Sequence, residues 1–196
     1  MLNAEFMTYM SDLRTARLRL RKLTMRDAAD IFRYSRDPEV ARHVLWDPHR
    51  TIGESRSYIR YMLRRYRAHE PASWAIEWLD TGRVIGTIGF MWIQRDNNAA
   101  EVGYSLAREY WNRGIMTEAL RAVLRYAFDD MGLNRVEAQH ETTNPASGAV
   151  MRKCHMAKEG TLRGRLFNKG HYVDVDLYAI LRKDYNRMGS KRRSAT

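Results

Sequence analysis

The sequence predicts an α+β domain around a mixed sheet, on three observations. Three neighbouring segments between residues 74 and 106 alternate apolar and polar side chains and are joined by short polar turns, the pattern of antiparallel strands. Two later segments change to helical character, and strands follow each of them. The chain has 196 residues, 44% hydrophobic and 29% charged. Those values suit one globular domain with a real core and exclude a disordered, collagen-like or fibrous chain.

Each element has its own signal. Residues 14–23 read as a half-buried strand, with Leu18 and Leu20 on one side and Arg17, Arg19 and Arg21 on the other. Thr24 and Asp27 resemble a capping box, and Ala28, Ile31 and Phe32 share a helical face. A second helix starts near Thr51, with Glu54 three residues on; it buries Ile59, Met62, Leu63 and Tyr66 and turns Arg56, Arg60, Arg64 and Arg67 outward. Trp74, Ile76 and Trp78 alternate, Asp80-Thr81-Gly82 is a turn, and Val84, Ile85, Ile88 and Phe90 lie on the return strand. A third strand covers residues 99–106. Residues 115–131 form a helix that Gly132 closes, and residues 135–142 a strand. Asn144-Pro145 starts a helix over residues 146–153, and two strands finish the fold at 157–163 and 171–181. The domain is expected to span residues 1–186, with 187–196 as a flexible basic tail.

Basic residues outnumber acidic ones 34 to 23, for a net charge of +11, and 28 of the 34 are arginine. The arginines are spread along the chain, as nucleotide composition alone would produce. The charge is also compatible with ribosome or nucleic-acid association. The single cysteine, Cys154, excludes an internal disulfide and a four-cysteine zinc site. With no apolar run of about 20 residues and no signal pattern in residues 1–12, a cytoplasmic protein without membrane contact is expected. There is no G-x-G-x-x-G, Walker loop, H-E-x-x-H or G-x-S-x-G, and no metal is expected.

One constellation carries chemistry. The strand ending Glu101-Val102-Gly103-Tyr104-Ser105-Leu106 runs through a loop into a helix opened by Gly114. Uncapped amides at a helix start, a glycine permitting close approach and the charge of Arg113 together describe a phosphate cradle over about residues 112–117. The same segment is also readable as an ordinary strand–loop–helix junction. After the next strand come Thr142-Thr143-Asn144-Pro145-Ala146-Ser147 at a second helix start, where Asn144 and Ser147 are either caps or ligand contacts at the carboxyl ends of neighbouring strands.

Taken together, the sequence resembles the GNAT-superfamily N-acetyltransferases, nearest to the branch that acetylates ribosomal-protein N-termini at alanine or serine. The cues are Asp37-Pro38-Glu39-Val40, Ile85-Gly86-Thr87-Ile88-Gly89, Val102-Gly103-Tyr104, Tyr110-Trp111-Asn112-Arg113-Gly114-Ile115-Met116-Thr117-Glu118-Ala119, Asn144-Pro145-Ala146-Ser147 and Glu159-Gly160-Thr161-Leu162-Arg163. The resemblance implies a mostly antiparallel central sheet flanked by about four helices, and acetyl-CoA as acyl donor. It implies that Asn112, Arg113, Gly114, Ile115, Met116 and Thr117 hold the CoA pyrophosphate by main-chain amides. Val102, Gly103 and Tyr104 would lie along the pantetheine arm, Asn144 would touch the cofactor, and Ser147 would serve the leaving thiolate. The chain departs from the family where Trp111 and Met116 replace loop residues, where Leu166 stands in place of a later carboxylate, and where His155-Met156 replaces Gly-Phe.

An acceptor ammonium must lose a proton before it attacks, so a base is required. Glu101 is the candidate; it could equally be a structural carboxylate paired with an arginine. Direct attack on the thioester needs no covalent intermediate, so Cys154 is expected to be buried and inert. Trp46, Tyr58 and Tyr172 are candidate acceptor-pocket residues. The acceptor is expected to be a protein N-terminus. A small-molecule amine such as an antibiotic or polyamine is the alternative, and a non-catalytic basic RNA- or ribosome-binding module is the rival from another class.

Overall fold

In the computed structural model, which describes residues 10–193, the first predicted strand is instead a hairpin. Strands β1 (Leu13–Arg14) and β2 (Leu18–Arg21) pair antiparallel around Thr15. The Thr15 hydroxyl accepts the Leu18 amide at 3.0 Å, and this local bond folds the segment back. Thr24 and Asp27 do form a capping box, which starts α1 (Ala28–Ser35). Arg21 clamps that box to the sheet, bonding Asp27 at 2.8 Å and also Glu77.

A one-turn helix α2 (Pro38–Ala41), capped by Asp37, and α3 (Ile52–Arg67), capped by the Thr51/Glu54 box, follow. Next come β3 (Ser73–Trp78), β4 (Arg83–Gln94) and β5 (Ala99–Leu106). Helix α4 (Ile115–Arg125) ends in a wider π-type turn at Tyr126–Asp130, so the predicted long helix is continuous but not uniform. Then β6 (Arg135–Glu141), α5 (Pro145–Lys153), β7 (Ala157–Asn168), β8 (His171–Leu181) and α6 (Arg182–Arg193) complete the chain. There are thus six α-helices among the described residues, where about four were expected. The additions are the short α2, announced by Asp37-Pro38, and α6, which begins before the expected domain end at residue 186. The expected tail at 187–196 falls on the later part of α6 and on residues 194–196, which lie outside the described residues, as do residues 1–9.

All eight strands form one sheet in the order β1-β2-β3-β4-β5-β6-β8-β7. Every described neighbour pair is antiparallel except β5–β6, which is parallel and bridged by α4. One core, with Trp74, Leu120 and Phe128, packs α4 against the sheet; a second, with Ile31 and Ile59, packs α1 and α3 on the other face. No helix among the described residues is long and apolar enough to cross a membrane.

The sheet opens at its middle. Strands β5 and β6 pair only at Ala99–Arg135, Ala100–Val136 and Glu101–Glu137. Beyond that point β5 stays with β4 to Leu106, and β6 stays with β8 to Glu141. A bulge at Met91, where the β4–β5 register shifts, bends the sheet beside the parting. A cleft therefore opens at the carboxyl ends of the parallel pair.

Backbone packing fixes this geometry at Gly89, where an added Cβ would fall 2.2 Å from the Ala72 carbonyl oxygen. Gly89→Ala is expected to lower unfolding free energy by about 1–3 kcal/mol. Gly160→Ala, facing open space, should stay within about 0.5 kcal/mol of the parent. Urea denaturation of both variants checks the contrast.

Candidate active site

Helix α4 points its first turn at the cleft. The Trp111 indole donates to the Leu106 carbonyl at 2.8 Å and pins the loop between β5 and α4. Asn112 and Gly114 then take left-handed backbone, φ 58° and 71°, which asparagine and glycine tolerate best. Helix α4 starts at Gly114 with no side-chain cap, so its first amides point outward unpaired by any side chain, at the positive end of the helix dipole. Ile115, Met116 and Thr117 bury their side chains and offer the cleft only main chain. The Arg113 guanidinium lies over the Tyr110 ring at 5.7 Å. This arrangement can bind an anion without relying on side-chain identity.

Arg17 was not singled out for this role, yet it stands at the same place. It donates to the Arg113 carbonyl at 3.1 Å and pairs with Glu118 at 2.7 Å. Glu118 also accepts from Thr15 at 2.6 Å. Burial pushes the Glu118 carboxyl up, but the bonds from Thr15 and Arg17 outweigh it and hold it below the ordinary glutamate range. The alternation around Leu18 and Leu20 disguised Arg17 as one of several outward arginines.

Helix α5 presents the opposite wall. Asn144 caps it, its side-chain oxygen accepting the Ser147 amide at 3.3 Å. The hydroxyls of Ser147 and Tyr104 are 2.9 Å apart, and Tyr104 also donates to the Ser147 carbonyl at 3.2 Å. A tyrosine from β5 thus reaches α5 across the parted strands. Burial drives the Tyr104 phenol well above its ordinary value of 10, so it is a neutral donor. Val102 is buried in the core, while Gly103 lies bare under Met91, whose sulfur would be 2.9 Å from an added Cβ. The described contacts thus join Tyr104 to Ser147 directly; Asn144 joins them as the α5 cap, and Gly114 with its neighbours occupies the other wall.

Glu101 is the last paired residue of β5 before the parting. Its carboxylate accepts from the Trp92 indole and from Gln139 at 2.9 Å. Both donors are neutral, so the expected alternative of an arginine partner is not what holds it. On the same face of β6 stands a carboxylate that sequence reasoning missed. Glu141, buried, takes His43 Nδ1 at 2.7 Å and the Asn168 amide, drawing the loop after α2 and the β7–β8 hairpin to the end of β6. Lys169 adds a bond to the Trp46 carbonyl at 2.7 Å and a pair with Asp47 at 2.9 Å. Glu141 was readable only as the polar end of a strand, because its partners are distant in sequence.

Of the pocket candidates, Trp46 lies in this tied loop. Tyr58 packs against the α1–α3 core, and Tyr172 is 73% exposed beside Phe167 on the hairpin. Cys154 is buried, and burial pushes its thiol up to about 11, as an inert core residue requires. His155 adopts φ 63°, the left-handed backbone a glycine would take most easily, and Met156 is buried in the core.

Residues 17–157 match the family model described as an acetyltransferase (GNAT) domain. An uncharacterized N-acetyltransferase, p20, of Bacillus licheniformis is 34% identical over 176 residues, 90% of this chain and 99% of that protein. The [ribosomal protein uS5]-alanine N-acetyltransferase of Escherichia coli is 29% identical over 107 residues, covering 54% of this chain and 55% of that enzyme. The structure of RimL, a ribosomal L7/L12 α-N-protein acetyltransferase in complex with coenzyme A, superposes with a TM-score of 0.79 at 22% identity, covering 87% of this chain and 98% of that one.

The Glu141 cluster sets a pH dependence. Burial pushes this carboxyl up, but hydrogen bonds from His43 and Asn168 prevail and hold it below the ordinary 4.5. A depressed carboxyl stabilises the fold above its unfolded value and loses that contribution as pH falls through its folded value. Glu141→Gln should therefore lower stability by about 1–3 kcal/mol at pH 7, with the difference from the parent shrinking below about pH 4. Denaturant titrations across that range test it.

Proposed function

We propose that this chain, which belongs to the GNAT acetyltransferase family, transfers the acetyl group of acetyl-CoA to the α-amine of a protein N-terminus. The observation that carries the reading is the parting of β5 and β6 between two helix starts, one uncapped and one bearing a serine. The residues fit the donor by their own chemistry. The amides of Asn112 to Thr117 face an anion site suited to a diphosphate. From Val102 onward, the β5 edge that faced β6 has no strand partner, so its main-chain groups are open to an extended amide-bearing arm. Asn144, at the cap of α5, borders that arm. Acetyl-CoA supplies the acyl group as a thioester when bound.

The chain's side chains then have defined tasks. Glu101 removes the proton from the acceptor ammonium, which is unreactive while charged. A main-chain amide of the open β5 edge near Gly103 would stabilise the negative charge that grows on the thioester carbonyl oxygen during attack. Ser147, backed by the neutral Tyr104 hydroxyl 2.9 Å away, would supply a proton or hydrogen bond to the thiolate of a bound donor. The acceptor enters beside the loop that carries Trp46 and the β7–β8 hairpin, tied together by Glu141 and Lys169. The ribosomal-protein acetyltransferases among the relatives support a protein acceptor.

Thiol release with a panel of N-terminal peptides, polyamines and amino-sugar antibiotics tests the acceptor; the reading expects peptides to win and fails if a small amine does. Ser147→Ala should lower kcat by about 100-fold or more and leave the KM for acetyl-CoA nearly unchanged. Glu101→Gln, which keeps the size of the side chain but cannot take the proton, should lower kcat by about 100-fold or more and leave the KM for acetyl-CoA nearly unchanged. Gly114→Ala places a Cβ on left-handed backbone at about 1–2 kcal/mol and should raise the KM for acetyl-CoA.

A further inference from the structure

The outward face of α3 is unusual in charge. Arg56, Arg60, Arg64 and Arg67 are all exposed on it. Their spacing of four, four and three residues sets them at intervals of about 6, 6 and 4.5 Å along the axis. The single acid of this helix, Glu54, is not among them, because it caps the N-terminus through the Arg50 and Thr51 amides. No ion pair to any of the four is present among the described residues, whereas Arg65, on the helix flank, pairs with Glu70. Amid the stripe stands Tyr61, 43% exposed. The guanidinium of Arg64 lies 5.8 Å from its ring and that of Arg65 5.4 Å, and Arg65 also donates to its hydroxyl at 2.8 Å. Arg60 is steadied by the Ser57 hydroxyl at 2.8 Å.

A row of like charges along a line suits a polymer that carries an anion on every unit better than it suits a single ligand. Arginine forks suit phosphate oxygens, and an oriented, exposed ring among them offers a surface on which a base can stack. We propose that this face of α3 docks single-stranded nucleic acid through its phosphodiester backbone, with Tyr61 stacking on a base. Nothing in this depends on the proposed acceptor, because the stripe uses no residue of the cleft.

The test is fluorescence anisotropy of the full chain with labelled single-stranded RNA and DNA 12-mers across a salt series. The comparison protein replaces Arg56, Arg60, Arg64 and Arg67 with Gln, which preserves the helix. A charge-matched control replaces the exposed Arg14, Arg83, Arg95 and Arg125 instead. The proposal expects the stripe variant to lose at least tenfold in affinity, and its log–log salt slope to shrink by about 3, near 0.7 for each lost phosphate contact. Tyr61→Ala should weaken binding while leaving the slope unchanged. Thiol release with the preferred acceptor should match the parent in every variant. An unaltered slope in the stripe variant, an equal loss in the control, or tighter capture of labelled poly-glutamate than of RNA would overturn it.

Discussion

The layout of this molecule depends on two strands that pair at only three positions and then part. Had β5 and β6 remained together past Glu101 and Glu137, the sheet would be closed and the helix starts of α4 and α5 would face a continuous surface. Because they part, the β5 main chain from Val102 onward is left without a neighbour at its middle edge. A sheet interior does not normally leave such groups idle. The Met91 bulge bends the outer strands beside the gap, and the Tyr104–Ser147 contact holds the two walls at a set separation.

Polar groups, rather than core packing alone, keep the surroundings in place. Arg17 and Glu118 tie the first hairpin to the first turn of α4, and Glu141 gathers His43 and Asn168 around the end of β6. Each cluster joins segments that are distant in the chain and meets at the rim of the gap. Both carboxyls are held ionised by donors that overcome their burial, so each rim is an electrostatic joint as well as a packing contact. On the proposed reading, one joint borders the donor's phosphates and the other the acceptor.

Much of the fold was legible because it is written locally. Capping boxes at Thr24 and Thr51, alternation in β3 to β5 and the strong 3.6-residue period of α4 each depend on neighbours in sequence. The helix start at Gly114 was legible for the same reason, since the glycine and the strand before it are contiguous. What escaped is what tertiary contact decides. The break at Thr15 came from one hydroxyl competing with strand pairing. The end of β5–β6 pairing has no signature in either strand. Arg17, His43, Glu141 and Asn168 acquire their partners only when segments up to about 100 residues apart come together.

The central claim is that main-chain amides of a split sheet and an uncapped helix grip the donor. Hydrogen–deuterium exchange of the whole protein, with and without coenzyme A, reads those amides directly. The account predicts slowed exchange at residues 102–104 and 112–117, with the outer strands β1 to β3 little changed. Protection that spares both segments, or that appears only on the arginine side chains' own helices, would contradict it.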